Sequence, residues 1–445
     1  MKVFSNEIYN LYYCIGSFSS KNKIAFNFYI VQYVDGKIEI MVFGMVSLLF
    51  VEFYNNDVPC SIEGNILGEK GNIHITDAYV TNIRINSSVE KPTYCRLKVF
   101  NEVRIDFNSF EPDLIEISLT NFLNNKTRNG KFIDFNIQHE YYDIEFKGIE
   151  DYEYYKQQLY ENKLDAAATS LGKISLKKKN INLIKNIDQL TDLLSYCNKT
   201  QISAICFNYY NDKTLCKTIL RPLRTTRYTN KEKLIEPENI KLFIEKCYPK
   251  FLENYYDFSL NIIIGIYLES LLNNYTDTAY VLLVQSLESF LMAHENYCIN
   301  QGEEIIPHSI KDMGEKLTSF FEENENSISK EDIDKLSEKL AYKHTTTNEK
   351  LSLLKKKDKF RENLNLNQFD YDFPTIRNKI IHTGKVPKTI NSSSGPREIN
   401  MAEEYDRLIY LFDKIILILL EYDGKFNDYL NKKEFEFENY LWKCN

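Results

Sequence analysis

The sequence predicts an α+β protein of two domains, an antiparallel β-rich N-terminal domain followed by an all-α helical bundle. Three observations favour this fold class. In the first half of the chain apolar and polar residues alternate, which is typical of strands with one buried face. After Pro237 the apolar period becomes helical. The length of 445 residues also exceeds that of one ordinary domain.

Strands dominate the predicted N-terminal domain, residues 1–230. Residues 24–33 and 38–51 flank Asp35-Gly36, so we expect a hairpin with a tight primed turn. Further strands are predicted where the alternation recurs, at 73–75, 103–107, 133–137, 142–146, 174–176 and 202–207. Two short helices are predicted, at 151–164 and 187–196.

Helices dominate the predicted C-terminal domain, residues 236–445. The polar and basic stretch 221–233 is the expected domain boundary, and Pro237 occupies a first helical position. The predicted helices are 238–253, 257–273, 277–299, 309–323, 330–342, 372–383 and 401–422. Residues 386–400, which contain three serines followed by Gly-Pro, are predicted to form a mobile loop.

Charge and cysteine usage exclude several classes of protein. Lys and Arg total 55 against 63 Asp and Glu, a net charge of −8. A protein that coats nucleic acid without sequence preference is normally basic, although a local phosphate-binding cleft is compatible with this charge. The nine cysteines are odd in number and scattered, with no C-x-x-C, which opposes both a disulfide framework and a Cys-rich zinc site.

Common cofactor and catalytic motifs are absent from the sequence. We find no G-x-x-x-x-G-K-[ST], no G-x-G-x-x-G, no H-E-x-x-H and no G-x-S-x-G, and the six histidines are dispersed. We therefore expect neither a metal site nor a cofactor. The first residues lack an apolar signal segment, and the longest apolar run, 40–51, is far shorter than the ~20 residues of a membrane span. We expect a cytoplasmic protein with no membrane association.

One short segment carries groups suited to phosphate chemistry. Pro374 and Gly384 bracket a predicted helix that holds Arg377, Asn378 and His382. On an ideal helix Asn378 and His382 share a face, while Arg377 lies ~140° from His382. An imidazole can transfer a proton near neutral pH, and a guanidinium can stabilise charge on phosphate oxygens. The three residues are candidate catalytic residues for phosphodiester cleavage.

This segment resembles the signature of HEPN domains, in which Arg-x-x-x-x-His, here with Asn directly after the Arg, lies in an all-helical domain. The order of domains is similar to that of the Apea-like group, where a β-rich domain precedes the HEPN domain. The apolar helix 280–291 and the apolar final helix 408–420 add to the resemblance. It covers residues 236–445 by motif and residues 1–230 by architecture alone.

The resemblance implies a metal-independent endoribonuclease that acts as a two-fold homodimer with both motifs in one cleft. A ribose 2′-OH attacks the adjacent phosphate, giving a cyclic phosphate and a 5′-OH. In this chain His382 is expected to act as base or acid, Arg377 to bind the phosphate and Asn378 to orient one of them. The resemblance further implies a toxin-like antiphage or abortive-infection role, RNA such as tRNA as the partner, and a trigger at the N-terminal domain.

Other residues and readings stand beside this hypothesis. Glu288 lies in the apolar helix 280–291, where it either supports Arg377 or occupies a solvated edge. A basic run precedes the motif and either guides RNA or solvates the surface; its members are Lys355, Lys356, Lys357, Lys359 and Arg361. The motif itself has a plainer interpretation, a helix end with a dipole-complementing histidine. The alternative function is a non-catalytic HEPN scaffold that dimerises and binds a ligand or partner.

Overall fold

The computed structural model describes residues 7–19, 25–43, 48–84, 94–178, 182–223, 228–302, 346–392, 395–428 and 433–436. The chain is divided into two compact units, Met1–Glu245 and Lys246–Asn445. The first unit is rich in antiparallel β-structure, and the described part of the second is mainly helical. The predicted β-rich N-terminal part and helical C-terminal part are therefore confirmed.

Six strands of the first unit close into a small antiparallel barrel. They are β1 (Ile8–Phe18), β2 (Phe26–Tyr33), β3 (Ile38–Phe43), β4 (Cys60–Ile66), β5 (Asn72–Arg84) and β6 (Tyr94–Val99). The order is β4-β1-β2-β3-β6-β5, and β5 pairs with β4 to complete the circle. Residues such as Ile30, Ile40 and Leu97 fill the interior from alternate positions, because successive side chains of a strand point to opposite faces.

The sheet continues beyond the barrel from β5. The added strands are β7 (Val103–Asp106), β8 (Leu114–Thr120), β9 (Phe135–Gln138), β10 (Tyr142–Gly148), β11 (Ala168–Leu176), β12 (Ser203–Asn211) and β13 (Thr214–Leu220). Their order is β7-β13-β12-β8-β11-β10-β9, and every pairing is antiparallel. Helices α2 (Tyr152–Tyr160) and α3 (Leu183–Asn198) pack on β11 and β12.

The predicted hairpin between β2 and β3 is confirmed, but its turn is of another type. The N–H of Gly36 donates to the Tyr33 carbonyl at 2.8 Å, and the Tyr33 N–H donates to the Lys37 carbonyl at 2.9 Å. Gly36 has a φ of 79°, whereas Val34 and Asp35 have no positive φ. This is the pattern of a turn without positive φ at its central residues, followed by a glycine in the left-handed conformation. The prediction of a primed turn was therefore wrong.

The predicted strand 38–51 is wrong beyond residue 43. Strand β3 ends at Phe43, and residues Leu48–Asn56 form helix α1. Phe50 of this helix is fully buried, and its ring centroid lies 4.7 Å from that of Phe18 and 5.0 Å from that of Phe26. The apolar run therefore serves a helix that packs on the aromatic core of the barrel.

Seven helices are described in the remainder of the chain. They are α4 (Ile240–Asn254), α5 (Leu260–Leu272), α6 (Thr276–Asn300), α7 (Thr347–Lys356), α8 (Asp358–Asn363), α9 (Phe373–Thr383) and α10 (Met401–Leu419). Of the seven predicted helices, five are confirmed within a few residues. The predicted helices 309–323 and 330–342 lie outside the described residues. Within the second unit α6 packs against α5, α7, α9 and α10, and its buried residues therefore spread over several sides.

The described part of the second unit also contains two short hairpins. Strands β14 (Thr389–Ser392) and β15 (Gly395–Glu398) form the first, and β16 (Lys425–Asp428) and β17 (Lys433–Glu436) form the second. The first corrects the predicted mobile loop 386–400. The reason is Arg397, whose guanidinium binds Glu404 of α10 at 2.6 and 3.0 Å and Asp372 at 2.8 Å. Hydrogen bonding to these carboxylates raises the pKa of Arg397.

Candidate functional site

Helix α9 carries the candidate residues, and its sequence explains where it begins and ends. Pro374 lies in the first turn, where a missing N–H breaks no intrahelical bond. Gly384 ends the helix in a left-handed conformation, and its N–H donates to the Ile380 carbonyl at 2.8 Å. Phe373, Ile376 and Ile380 are buried, which fixes one face of α9 against the helical core.

Arg377 is held by two neighbours. Its Nη2 forms an ion pair with Oε2 of Glu288 on α6, and its Nη1 donates to Oδ1 of Asn378 at 2.7 Å. The side chains of Arg377 and Glu288 are 28% and 22% exposed, so the pair is only partly shielded from water. A guanidinium has five N–H donors, and the two contacts use two of them. The rest have no hydrogen-bond partner among the described residues.

His382 lies on a different side of the same helix. Asn378, Ile381 and His382 are exposed, and Ile381 is 53% exposed although its side chain is apolar. No described residue forms a hydrogen bond with the His382 imidazole. Within one chain the structure therefore joins Arg377 to Asn378 and Glu288, while His382 stands apart from that contact.

Helix α7 supplies a second wall beside Arg377. Its start is a capping box, since Thr346 Oγ1 accepts from the Glu349 N–H at 3.3 Å and Glu349 Oε2 accepts from the Thr346 N–H at 2.6 Å. Thr347 then donates its hydroxyl to Oε1 of Glu288 at 2.9 Å. Lys350, one turn further, pairs with Oε2 of Glu295 on α6 at 2.9 Å.

These helices enclose an open pocket of about 320 Å³. Its walls come from α6, α7 and α9. The lining residues are Gln285, Glu288, Ser289, Met292, Thr347, Lys350 and Arg377. The volume is at the lower end of the roughly 300–1,000 Å³ typical of small-molecule sites. The wall carries two cations, Lys350 and Arg377, and one carboxylate, Glu288. An anionic group can bind here through the N–H donors that the two ion pairs leave unused.

The basic run divides between different environments. Lys355 and Lys356 form the last turn of α7, and Lys356 lies about 13 Å along the helix axis from Thr347. Lys357 lies between α7 and α8, and Arg361 lies on α8 with an exposed side chain. Lys359 instead donates to the Leu419 carbonyl at 3.0 Å and to Glu421 Oε1 at 2.8 Å. Its ammonium is thus engaged at the C-terminal end of α10.

Of the four residues predicted from sequence, Arg377 and Glu288 line the pocket, whereas Asn378 and His382 are not among its lining residues. The other lining residues were not predicted. The available signals were the spacing of Glu288 and Glu295, seven residues apart on one helix, and the Thr-x-x-Glu pattern of a capping box at residues 346–349. Neither signal predicts that Glu288 pairs with Arg377 or that Glu295 pairs with Lys350.

The chain gives no match when it is compared with protein-family models, with curated proteins or with solved structures. Among the described residues, no helix combines the length and the apolar character needed to cross a membrane. The same part of the chain contains no group of three or more His, Cys, Asp or Glu arranged to hold a metal ion.

Proposed function

We propose that the chain is an HEPN-type endoribonuclease that cleaves RNA by attack of a 2′-OH on the adjacent phosphate, without a metal ion. The observation that carries the proposal is the state of Arg377. Glu288 and Asn378 fix its position, yet Arg377 lines an open pocket and its remaining donors have no partner among the described residues. An arginine fixed in this way is prepared to receive a phosphate, because little of its side-chain freedom is left to lose on binding.

The proposed roles follow from the chemistry of each group. Arg377 binds the scissile phosphate and stabilises the charge that develops on its oxygens. Asn378 accepts a hydrogen bond from Arg377 at 2.7 Å and so orients the guanidinium. His382 removes the 2′-OH proton or protonates the leaving 5′-oxygen. The attacking nucleophile belongs to the RNA, and the products are a cyclic phosphate and a 5′-OH.

A second copy of the chain completes the proposed site. The residues that line the pocket include Arg377 but not His382, and the two point ~140° apart on an ideal helix. A two-fold axis near the exposed face of α9 would bring His382 of one subunit toward Arg377 of the other. Ile381, which is exposed on the same helix, is accessible to such a contact.

A cleavage assay in EDTA tests the proposal. Wild-type protein is expected to cut RNA, tRNA included, but neither DNA nor RNA whose 2′-OH at the scissile position is blocked. His382→Ala and Arg377→Ala are each expected to lose ~10² to 10⁴ in rate, the usual worth of a positioned acid, base or charge-stabilising donor. Cleavage of DNA, a requirement for Mg²⁺, or full activity of folded His382→Ala would contradict it. RNA binding without any cleavage would favour the scaffold function.

We further propose a toxin-like role in antiphage defence or abortive infection, with a trigger that acts on the β-rich unit. Expression of the wild-type chain in a bacterial host should slow growth, and expression of His382→Ala should not. Equal growth inhibition by both proteins, at matched levels, would separate toxicity from RNA cleavage and remove this role.

A further inference from the structure

Two carboxylates on one face of α6 organise the pocket. Glu288 and Glu295 are seven residues apart, which places them on the same side of the helix and about 10 Å apart along its axis. Glu288 holds Arg377 from α9, and Glu295 holds Lys350 from α7. The side chains of Lys350 and Glu295 are only 16% and 13% exposed, so this second pair is well shielded.

Lys350 retains donors toward the pocket despite its ion pair. An ammonium has three N–H groups, and one described contact, to Glu295, uses one of them. Lys350 and Arg377 line the same pocket, with the carboxylates of Glu288 and Glu295 as their fixed partners. The arrangement presents two cations from two different helices to one small space. Anionic groups of a ligand can therefore be bound at both.

The rest of the wall suits a nucleobase. The side chain of Gln285 offers an amide, which both donates and accepts hydrogen bonds. The Ser289 hydroxyl donates to the backbone carbonyl of Gln285 at 2.8 Å, and its oxygen remains an acceptor. Met292 is half exposed and brings a thioether, which packs well against aromatic rings. A volume of about 320 Å³ admits a single unstacked nucleotide and excludes a duplex. Unstacked bases are what sequence-specific RNA-binding proteins read.

We propose that this pocket is a nucleotide subsite, in which Lys350 binds the phosphate of the nucleotide next to the scissile bond and Gln285 contacts the edge of its base. The assignment of that nucleotide to a cleaved RNA rests on the proposed function. Binding of a nucleoside monophosphate in the pocket is independent of the proposed function, because binding requires no cleavage. Lys350 is thus a binding residue, distinct from the Arg377–His382 pair.

Methyl NMR on the full chain tests the subsite. The protein contains six methionines, and the ¹³C-methyl signal of Met292 is assigned with Met292→Leu. Nucleoside monophosphates should shift this signal in a saturable way. The concentration needed for half of the full shift should be at least ~10-fold lower than for the matching nucleosides or for inorganic phosphate. Lys350→Gln should weaken the monophosphate at least ~10-fold, the size expected for a lost charge-assisted hydrogen bond. Lys350→Arg should retain most of the affinity.

Controls separate binding from folding. Lys350→Gln removes the cation that Glu295 pairs with on α7. The double variant Lys350→Gln/Glu295→Gln, which replaces the ion pair by a neutral pair, should fold and still bind weakly. Gln285→Leu should change the order of preference among the four monophosphates. An unmoved Met292 signal, equal shifts with nucleosides and monophosphates, or unchanged affinity in Lys350→Gln would overturn the subsite.

The two proposals can fail separately. Monophosphate binding at Met292 by a protein that never cleaves RNA would leave the subsite standing and reject the ribonuclease. Conversely, the wild-type protein could cleave RNA, and His382→Ala could lose that activity, while no nucleotide shifts the Met292 signal. That result would reject the subsite alone.

Discussion

Glu288 joins three helices through one carboxylate. Its Oε2 takes the ion pair from Arg377 on α9, and its Oε1 accepts the hydroxyl of Thr347 on α7. Because the pair is partly exposed, it contributes little to the stability of the fold, on the order of 1 kcal/mol or less. Its effect is geometric, since it limits the positions that the guanidinium can adopt.

We therefore expect Glu288→Gln to fold normally and to cleave RNA more slowly. The amide can still accept from Thr347 but no longer attracts Arg377 by charge, and misplacement of a catalytic group by about 1 Å costs up to ~10²-fold in rate. Single-turnover cleavage rates measure the loss. Glu253→Gln, which removes an exposed partner of Lys250, is the matched control and should keep the wild-type rate. A wild-type rate in Glu288→Gln would exclude the positioning role.

Burial shifts the titration of several groups in the β-rich unit. Desolvation raises the pKa of five cysteines to about 12; they are Cys14, Cys60, Cys95, Cys197 and Cys206. It also lowers the pKa of Lys233 to about 8. The Lys233 ammonium donates to the carbonyls of Leu123 and Asn125, so the charged form is hydrogen-bonded although burial disfavours it.

Lys233 should make stability depend on pH above neutrality. Below about pH 8 the lysine is charged in both the folded and the unfolded chain, so the full cost of burying the charge is present. Between about pH 8 and 10.5 the unfolded chain binds more protons than the folded one, and stability rises with pH. The unfolding free energy of wild type, from urea denaturation, should therefore increase relative to that of Lys233→Met between pH 7.5 and 9.5. A constant difference between the two proteins would contradict this assignment.

At the scale of elements, the side chain of Arg397 links the β14–β15 hairpin to two helices. Arg397 reaches both the residue before α9, Asp372, and the first turns of α10, at Glu404. All three side chains are mostly buried, with exposures of 15% or less. The hairpin therefore ties the start of the motif helix to the last long helix.

Arg397→Met should destabilise the helical unit by about 3–5 kcal/mol, because it leaves two buried carboxylates without their partner. Chemical denaturation followed by helical circular dichroism measures the change. Lys250→Met, which breaks exposed or partly exposed pairs with Glu253 and Glu421, should cost less than about 1 kcal/mol. Equal small losses in both variants would mean that the carboxylates are solvated, contrary to the structure.

Elements with one buried and one solvent-exposed face were predictable from sequence, whereas elements without this alternation were not. Strand β10 alternates cleanly and was predicted. Strand β1 was missed because Leu11, Tyr13 and Ile15 are apolar yet partly exposed, which removes the alternation. The hairpin β14–β15 was missed because Ser, Gly and Pro indicate a turn, and because one ion-pair partner of Arg397, Asp372, is 25 residues away in sequence.

At the scale of the whole molecule, the candidate site depends on contacts between distant parts of the chain. The motif on α9 is local, so its helix and its three polar residues were predictable. The partner Glu288 is 89 residues away from Arg377, and the pair of Lys350 with Glu295 spans 55 residues. Such pairs follow from the packing of α6 against α7 and α9. The apolar periodicity of a single segment predicts that a helix forms, but not which other helices it contacts.

The proposed pairing of Arg377 with His382 of a second subunit leads to a test with heterodimers. A heterodimer of Arg377→Ala and His382→Ala chains, isolated by two tags, keeps one intact Arg–His pair only if the pair forms between subunits. It should then recover about half the wild-type rate, although each homodimer is inactive. A heterodimer of wild type with the Arg377→Ala/His382→Ala chain contains the same four side chains in the opposite distribution. It should be inactive if the pair forms between subunits and about half active if the pair forms within one chain. Activity in the second heterodimer alone would place both groups in a single chain and would contradict the pairing between subunits.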